Sequence, residues 1–491
     1  MNENIIDIKD NFDFPDGFSE RMRKMLGEDF DAFCNAYSKP RRTSLRVNRV
    51  KDDGKLEAIL TRHFDLSEVT WARDGFYVDN AEASRPGLHP LHEAGAYYIQ
   101  EASAMISVSL SPPKAGERVL DLCAAPGGKS TQIASYLNGD SLLVANEIHP
   151  ARASVLSSNI ERMGIKNALV TNEAPDKLVP HFSSFFDRIF VDAPCSGEGM
   201  FRKEEAALTQ WSEEYLEVCA ERQLDILNSA AKMLKSNGRI VYSTCTFAPE
   251  ENECVIAKFL LTHPDFKIVD PQIRIDGFTN GNPLWVKEFS DIESIPDGIE
   301  KCVRLFPHRA DAEGHFAAVL ERCGGDDYAT DSRKDRPKSK KNAQKSTPVK
   351  WEKPFEDFAR SCLSADFTKS LLSLPAVTFG ENIYLLPFSL PLDGLRVLRA
   401  GLHIGEVKGD RFIPSHALAL AMTDGDAENV CNLTLPDAVA YIRGESIPAS
   451  GLSKGWVLLT YDGVSLGFGK VSDGIVKNHY PKGLRRNIPI L

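Results

Sequence analysis

The stretch Arg118-Val-Leu-Asp-Leu-Cys-Ala-Ala-Pro-Gly-Gly-Lys-Ser130 runs from an apolar strand through a glycine-rich turn into a predicted helix. In α/β folds, ligands bind beyond the carboxyl ends of the strands, and this turn lies at such an end. Gly127 and Gly128 have no side chain, so their backbone lets a ligand approach closely. The turn fits neither the dinucleotide pattern GxGxxG nor the phosphate-binding pattern GxxxxGK[ST]. We therefore expect it to hold a cofactor through groups other than phosphates.

Short apolar runs alternate with helix-like segments on both sides of this turn, from about Gly116 to Arg322. The apolar runs read RVLDL, SLLVANE, NALVTNE, DRIFVDAP and RIVYSTC. Such alternation is typical of a doubly wound, mostly parallel sheet that helices cover on both faces. Residues 106–323 are therefore predicted to form an α/β domain, and the glycine-rich turn lies at one edge of its sheet.

Residues 1–105 are predicted to form an N-terminal α+β domain, with a helix around Gly17 to Leu26. The run from Lys39 to Lys51 contains no acidic residue and alternates like a strand. Two interpretations of this run stay open. It is either a solvated edge strand or a surface that grips an RNA backbone.

The chain beyond the α/β domain divides into a polar segment and a final folded region. Residues 324–350 are polar, basic toward their end and nearly free of large apolar side chains, which indicates a flexible linker. Residues 351–491 regain apolar strands and turns, which predicts a small, mostly β unit. This unit ends in the basic stretch Lys477-Asn-His-Tyr-Pro-Lys-Gly-Leu-Arg-Arg486.

Composition excludes several other classes of protein. A length of 491 residues predicts several domains, and no run of about 18 uncharged apolar residues occurs. The start of the chain lacks both a basic and an apolar signal region, so we expect a cytoplasmic protein without a membrane span. Ten cysteines without a CxxC pair argue against a zinc module and a secreted disulfide framework, so no metal is expected. The net charge of −11 does not itself indicate a nucleic-acid partner, because phosphate binding depends on local basic patches.

Polar residues also follow the second and third predicted strands. Glu147 closes the strand SLLVANE about 20 residues after the glycine-rich turn, where an acid can accept hydrogen bonds from both hydroxyls of a ribose. Asn172 and Glu173 end the next strand and are candidates to contact an adenine edge. A strand-end Glu is otherwise a solvated cap, so the ribose role depends on the neighbouring turn.

Two cysteines follow the fourth and fifth predicted strands. Cys195 lies in Asp192-Ala-Pro-Cys-Ser-Gly after RIFV, and Cys245 lies in Ser243-Thr-Cys-Thr after RIVY, which follows a long helix whose end is marked by Gly238. In the usual doubly wound order these strands are neighbours about 5 Å apart, so both thiols and Asp192 would face one cleft.

This pair suits a reaction that needs covalent catalysis. Carbon 5 of cytosine is a poor nucleophile, and addition of a thiolate to carbon 6 turns the ring into an enamine that attacks a methyl sulfonium. Loss of the proton on carbon 5 and expulsion of the thiol then need an assisting group, which the second cysteine can supply. Asp192 can hydrogen-bond the exocyclic amine and ring nitrogen 3, which would select cytosine over uracil.

A buried cysteine is otherwise a small core residue. We assign that structural role to the seven cysteines without such a setting: Cys34, Cys219, Cys254, Cys302, Cys323, Cys362 and Cys431. Cys123 is expected to line the cofactor turn.

Four motifs in order resemble the NOL/NOP/Sun family of RNA cytosine methyltransferases: DLCAAPGGK from Asp121, NE at Glu147, VDAPCSGEGMFRK around Asp192 and STCTFAPEEN around Cys245. The shorter pieces Arg46-Val-Asn48, Tyr98-Ile-Gln-Glu-Ala-Ser-Ala-Met105, Arg304-Leu-Phe-Pro-His308 and Glu313-Gly-His-Phe316 also match. The resemblance extends from about residue 20 to 322.

The resemblance implies a Rossmann-like methyltransferase domain that uses S-adenosyl-L-methionine. It implies that Cys245 is the nucleophile, that Cys195 assists product release, and that Asp192 and Lys129 contact the target base; the strand argument alone leaves open which thiol attacks. The predicted cofactor-binding residues are Asp121, Cys123, Ala124, Ala125, Pro126, Gly127, Gly128, Lys129, Glu147, Asn172 and Asp192. Many relatives carry an Asp near the position of Asn172.

The linker and the basic C-terminal stretch resemble those of the bacterial RsmF-type enzymes of this family. Those enzymes modify small-subunit ribosomal RNA and carry a PUA-like RNA-binding domain at the C-terminus. The resemblance therefore implies RNA as the partner, with 16S ribosomal RNA as the expected substrate. A monomer is expected.

Four alternatives remain. Transfer RNA is an alternative substrate for the same chemistry. An amino-group methyltransferase would place a second proline and an aromatic residue where this chain has Cys195 and Ser196. A DNA cytosine methyltransferase also uses a Pro-Cys turn but has no use for Cys245. A catalytically idle ribosome-assembly factor would have no need of either thiol.

Overall fold

The computed structural model describes residues 12–324 and 350–489, except residues 53, 204 and 450. The predicted linker 324–350 therefore lies almost entirely outside the described residues. Short 3-10 helices are found at Gly27–Asp29, Pro86–Leu88, Ser103–Met105, Glu198–Met200, Ile299–Lys301, Asp424–Asp426 and Lys482–Leu484.

The N-terminal part combines helices with a small antiparallel sheet. Its helices are α1 (Asp16–Leu26), α2 (Phe30–Tyr37), α3 (Leu56–Leu60), α4 (Ala81–Ser84) and α5 (Pro90–Glu93). Its strands are β1 (Ser44–Val47), β2 (Leu66–Glu68), β3 (Gly75–Val78) and β4 (Tyr97–Ile99), in the order β2-β3-β1-β4. The predicted helix from Gly17 to Leu26 is confirmed. The interpretation of the run from Lys39 to Lys51 as a solvated edge strand is wrong, because β1 pairs with strands on both sides and all four of its residues are buried.

The central part contains the long alternation of strands and helices. Its helices are α6 (Ile106–Leu110), α7 (Gly128–Ala134), α8 (Pro150–Arg162), α9 (Pro175–Phe182), α10 (Glu205–Thr209), α11 (Glu213–Met233), α12 (Glu253–Thr262) and α13 (Pro283–Glu288). Its strands are β5 (Arg118–Asp121), β6 (Leu142–Asn146), β7 (Ala168–Thr171), β8 (Phe186–Asp192), β9 (Leu234–Thr244), β10 (Phe266–Ile268), β11 (Phe278–Asn280), β12 (Val303–Leu305) and β13 (His315–Arg322).

The doubly wound sheet predicted from the sequence is confirmed. Strands β9-β8-β5-β6-β7 are neighbours in that order and pair in parallel, while β13 and β12 add antiparallel strands beyond β9. Strands β6 and β7 are buried over their full length because helices cover both faces. The register pairs Asp192 with Ser243, so β8 and β9 end side by side.

The end of the long helix before β9 differs from the prediction. Helix α11 ends at Met233, and Gly238 lies within β9 rather than after the helix. The left-handed residue here is Asn237, with φ of 60°, and the pairing of β8 with β9 shifts register between Phe186 and Arg188. Gly238 is needed because a Cβ there would lie 2.8 Å from the Leu234 side chain and 3.0 Å from the Asp187 carbonyl.

The C-terminal part contains ten strands and four helices among the described residues, which confirms the predicted mostly β unit. Its helices are α14 (Glu352–Cys362), α15 (Ala365–Leu372), α16 (His416–Leu420) and α17 (Leu435–Arg443). Its strands are β14 (Ala376–Phe379), β15 (Asn382–Leu385), β16 (Val397–Ala400), β17 (Leu402–Lys408), β18 (Arg411–Pro414), β19 (Val430–Leu433), β20 (Ile447–Pro448), β21 (Gly455–Tyr461), β22 (Val464–Ser472) and β23 (Ile475–Asn478).

The C-terminal part is joined to the other two by direct packing. Strand β16 pairs antiparallel with β7 and completes a catalytic sheet of ten strands among the described residues. Apolar side chains of β1, β3 and β4 share one core with α17, β21 and β22, including Leu45, Tyr97 and Tyr441. The C-terminal part therefore contacts both the central sheet and the N-terminal part.

Candidate active site

Helix α8 and strand β6 hold the turn between β5 and α7. The Arg152 guanidinium donates to the Ala125 carbonyl at 2.8 Å, and the Asn159 amide donates to the Pro126 carbonyl at 2.8 Å. Gly127 has φ of 115°, and a Cβ at this position would lie 3.3 Å from Leu156. Only glycine adopts this conformation without strain, so the turn stays open toward the site.

Asp121 offers a buried acceptor at the start of this turn. Its side chain is fully buried, Ser130 Oγ donates to Oδ2 at 2.6 Å, and Oδ1 has no hydrogen-bond partner among the described residues. Burial raises the pKa of Asp121 to about 7, against the hydrogen bond from Ser130. An unpaired buried carboxylate oxygen is costly, and an ammonium group of a bound ligand would satisfy it.

Glu147 follows β6, with a buried side chain. His149 N–H donates to its Oε1 at 2.9 Å, and Arg152 Nη1 lies 3.6 Å from Oε2. Each oxygen keeps a free lone pair, because a carboxylate accepts about four hydrogen bonds. The next side chain, Ile148, is 50% exposed and offers an apolar surface beside the acid.

Asn172 and Glu173 lie after β7, where the sequence placed them, and both side chains already have partners. The Asn172 amide donates to the Glu147 carbonyl at 2.7 Å and to the Ile148 carbonyl at 2.9 Å. The Glu173 carboxylate accepts from Arg396 N–H at 2.8 Å. Asn172 thus holds the backbone around Glu147.

The two predicted cysteines lie together. Cys195 Sγ and Cys245 Sγ are 3.4 Å apart, both are free thiols, and each is partly exposed. The Gly199 N–H donates to the Cys245 carbonyl at 2.8 Å and joins the two turns. The hydrogen bond with Cys245, together with burial, raises the pKa of Cys195. At this distance either thiol can donate to the other sulfur, and the raised pKa favours the protonated form of Cys195.

Asp192 and Lys129 form an ion pair beside the thiols. Lys129 Nζ lies 2.8 Å from Asp192 Oδ2, and Ser243 Oγ donates to Oδ1 at 2.9 Å. Burial acts to raise the pKa of Asp192, but the Lys129 ammonium, His315 and these hydrogen bonds outweigh it and leave the pKa below its usual value. Asp192 is therefore an ionised acceptor at neutral pH.

His315 lies next to this ion pair, at the start of β13. Burial lowers its pKa to about 3, and the nearby Lys129 charge adds to this effect. Its Nε2 is 3.2 Å from Ser107 Oγ, and its Nδ1 has no partner among the described residues. The imidazole is neutral here, and sequence reasoning gave it no role although it lies in the matched piece Glu313-Gly-His-Phe316.

Buried carboxylates that the sequence did not single out hold the cysteine turns. Glu251 Oε2 accepts from Ser196 N–H at 3.0 Å and from the Gln223 amide at 2.8 Å, and burial raises its pKa to about 7. Glu198 accepts from Thr246 Oγ1 at 2.9 Å and also contacts Arg21. Both acids lie in polar stretches, CSGEGMFRKEE and APEENE, so nothing in their local sequence indicates that they are buried.

The N-terminal strand supports the cofactor helix. Arg46 is 1% exposed, and its guanidinium donates to Thr131 Oγ1 at 2.6 Å, Gln100 Oε1 at 3.1 Å and Ser135 Oγ at 3.2 Å. Asn48 donates to the Gly95 and Met163 carbonyls. These two residues of the run from Lys39 to Lys51 therefore join domains, and they cannot grip RNA.

Residues 12–324 and 350–489, with the three gaps noted above, contain no group of three or more His, Cys, Asp or Glu that could hold a metal ion. None of the helices described there is long and apolar enough to cross a membrane.

Two solved structures share this fold. A methyltransferase homologue from Pyrococcus horikoshii superposes with a TM-score of 0.53 at 27% identity, over 63% of this chain and 95% of that chain. NSun6 from Pyrococcus horikoshii, solved with SFG, gives a TM-score of 0.52 at 20% identity, over 64% of this chain and 99% of that chain. The model of the 16S rRNA methyltransferases RsmB/F matches residues 108–321. The fold, the cofactor turn and this match define an RNA methyltransferase that uses S-adenosylmethionine.

Matches outside the catalytic domain identify the family more narrowly. Models for the RsmF N-terminal domain, the RsmF first C-terminal domain and the RsmF PUA domain match residues 14–102, 357–422 and 428–486. Ribosomal RNA small subunit methyltransferase F of Vibrio vulnificus is 32% identical over 97% of this chain and 98% of its own length. The enzyme of the same name from Vibrio campbellii is 33% identical over the same shares. The chain belongs to the RsmF family of 16S rRNA methyltransferases.

The residues present fit S-adenosylmethionine. The unpaired Oδ1 of Asp121 suits the cofactor's ammonium group, and Glu147 suits its ribose hydroxyls. The positive φ of Gly127 lets the turn between them form without strain. The cofactor supplies an electrophilic methyl group on sulfur.

Proposed function

We propose that this chain methylates carbon 5 of a cytosine in 16S ribosomal RNA and that Cys245 forms a covalent bond to carbon 6 of the base. The observation that supports this most is the pair of thiols 3.4 Å apart beside the Asp192–Lys129 ion pair. A methyl transfer to an amine needs no thiol, whereas addition to a pyrimidine ring needs one nucleophilic sulfur and a group that assists its departure.

We assign the two thiols different roles. The Cys195 Sγ lies 3.4 Å from Cys245 Sγ and can donate its S–H to that sulfur, which stabilises negative charge on it. Cys245 thus adds to carbon 6 as a thiolate. After carbon 5 has taken the methyl group, its proton passes to water, the electrons of that C–H bond re-form the double bond between carbons 5 and 6, and the bond between carbon 6 and the Cys245 sulfur breaks. The same Cys195 donor stabilises the departing sulfur.

Asp192 and Lys129 hold the base during this addition. The Asp192 carboxylate accepts a hydrogen bond from the exocyclic amine, which cytosine has and uracil lacks. The Lys129 ammonium stabilises negative charge that develops on the ring when the thiolate adds. Because both groups are preorganised by Ser243 and by each other, they need not rearrange as the reaction proceeds.

We infer 16S rRNA as the substrate from the family, and an assay of methyl transfer tests this inference. Purified protein and labelled S-adenosylmethionine are incubated with 16S rRNA, small ribosomal subunits and transfer RNA from cells that lack this protein, and the products are mapped by bisulfite sequencing. We expect one cytosine-5 mark in 16S rRNA, absent with Cys245→Ala and retained with Cys431→Ala. A mark on transfer RNA would favour the transfer RNA enzyme, and a label on an exocyclic amine would favour the amino-group methyltransferase. No label on any RNA would favour the idle assembly factor.

A further inference from the structure

A cleft of about 490 Å³ lies between the N-terminal part and the loops of the catalytic domain. Its walls are the segment Lys39–Ser44, the segment Ile99–Glu101, residues 202–203 after the Cys195 turn, and the loop Pro307–Glu313. Its volume is within the range of ligand pockets, roughly 300–1,000 Å³.

Two contacts connect the cleft with the reaction site. The backbone of Gly199, which binds the Cys245 carbonyl, packs so closely on Gly314 that a Cβ there would lie 2.6 Å from the Gly314 oxygen. On the opposite wall, Gln100 lies 3.5 Å from the position of a Cβ on Gly128 in the cofactor turn. Segments of the cleft walls therefore pack directly on the Cys195 turn and on the cofactor turn.

The acids of the cleft are already satisfied. Asp311 pairs with Arg42 at 2.7 Å, and Glu313 accepts from Arg202 Nε at 3.1 Å. Glu101 accepts from the N–H groups of Ala104 and Glu313, each at 3.2 Å. Arginines thus compensate Asp311 and Glu313, whereas Glu101 has hydrogen bonds but no ion pair within 4 Å among the described residues. The lining still contains six Lys or Arg side chains against three acids, so its net charge is positive.

Three cations of the lining remain available. Lys39, Arg41 and Lys203 are exposed and have no ion pair within 4 Å among the described residues. Arg202 differs, because it is tied to Glu313 and to the Ala36 carbonyl at 2.9 Å, and so it joins the walls. The described residues of the lining include one aromatic ring, His308, and no Phe, Tyr or Trp, so charge predominates over stacking surface.

We propose that this cleft binds the phosphates of the nucleotides that flank the target cytosine, through Lys39, Arg41 and Lys203. This inference rests on the proposed function, since it assigns the path of the RNA into the same site. Cations without partners bind phosphates through charge, and phosphates are the same in every nucleotide, so this contact does not depend on the flanking sequence.

The test compares two triple variants of the full-length chain. The first carries Lys39→Ala, Arg41→Ala and Lys203→Ala. The control removes three exposed lysines outside the cleft: Lys258→Ala, Lys353→Ala and Lys369→Ala. Methylation of 16S rRNA gives KM and kcat, and filter binding of the same RNA gives affinity over a series of salt concentrations.

We expect the cleft variant to raise KM for RNA by on the order of tenfold to a hundredfold, with the effect on KM rather than on kcat. The slope of log affinity against log salt should fall by about 2, because each phosphate contact on a single strand contributes about 0.7. The control variant should match the wild type, and all three proteins should bind S-adenosylmethionine equally. The charge-conserving variant Lys39→Arg, Arg41→Lys, Lys203→Arg should restore most of the affinity.

Unchanged KM and salt slope in the cleft variant, with an active wild type, would overturn the proposal. So would failure of the charge-conserving variant to restore binding when it folds normally. If the wild type makes no 5-methylcytosine, the proposed function fails, and the filter-binding comparison still decides whether the cleft binds RNA.

Discussion

Replacing Lys129 with Met should change the pH dependence of the reaction through Asp192. The Lys129 ammonium lies 2.8 Å from the Asp192 carboxylate and is one of the groups that lower the pKa of that carboxyl. Lys129→Met keeps most of the apolar stem and removes the charge. Burial of Asp192 then acts without opposition from the ammonium, so its pKa rises.

The size of this change follows from the geometry of the pair. An opposite charge at this distance lowers a carboxyl pKa by about 1 to 3 units. Asp192 is 35% exposed, and solvent screens part of the interaction, so about 1 to 2 units is the expected rise. At about 1.4 kcal/mol per unit, the ionised carboxylate loses roughly 1 to 3 kcal/mol of stabilisation.

The assay is kcat/KM for RNA methylation between pH 5 and 9. Because the ionised form of Asp192 accepts the hydrogen bond from cytosine, activity should fall on the acidic side at a pH about 1 to 2 units higher in Lys129→Met than in the wild type. Lys129→Arg keeps the charge and should leave the acidic limb in place. An identical acidic limb in Lys129→Met would refute the electrostatic role of Lys129.

The same substitution should change stability in a defined pH window. The pKa of Asp192 is depressed in the folded protein, so the ion pair stabilises the fold above the unfolded pKa and this contribution is lost as the pH falls. The stability difference between wild type and Lys129→Met should therefore be largest at neutral and alkaline pH and shrink in acid. Urea unfolding at several pH values measures it.

Three further predictions concern residues that hold the site. Arg46→Leu should lower the free energy of unfolding in urea by about 2 to 4 kcal/mol, because it leaves Thr131 Oγ1 and other buried acceptors unpaired. The control Arg41→Leu should change the free energy of unfolding by less than about 0.5 kcal/mol. Glu147→Ala should weaken S-adenosylmethionine binding about tenfold to a hundredfold in calorimetry through loss of the ribose contacts, and unchanged affinity would remove Glu147 from the cofactor site. The pKa of Glu251 is raised to about 7, so the wild type loses about 3 kcal/mol of stability through this group as the pH rises from 4.5 to 7. Glu251→Gln should lack that decline. If the stability of wild type and variant changes with pH in parallel, the assignment is contradicted.

The sequence predicted those parts of the site that depend on the succession of strands and helices along the chain. Short apolar runs that alternate with helical segments, together with the doubly wound order, placed Cys195 and Cys245 at neighbouring strand ends, and the structure brings their sulfurs to 3.4 Å from each other. The strand neighbours β5, β8 and β9 were predicted for the same reason. In each case a parallel strand must end at the same edge as its neighbour.

The parts that the sequence did not predict depend on contacts between distant segments. Nothing local shows that Arg46 is buried against α7, or that β16 pairs with β7 across more than 200 residues. Glu198 and Glu251 look like solvent-exposed acids until the turns around the cysteines close over them. Gly238 follows a helical pattern closely enough to suggest a cap, but tertiary pairing of β9 extends the strand through it.

The most direct test of the proposed chemistry is to isolate the covalent adduct. Cys195→Ala removes the donor that assists departure of the Cys245 sulfur, so incubation with S-adenosylmethionine and 16S rRNA should accumulate a protein–RNA adduct that resists denaturation. Nuclease digestion and peptide mass spectrometry should place a methylated cytidine on Cys245, and the double variant Cys195→Ala, Cys245→Ala should give no adduct. Ordinary turnover by Cys195→Ala without an adduct, or an adduct at a residue other than Cys245, would contradict covalent catalysis by Cys245 with Cys195 as the release residue.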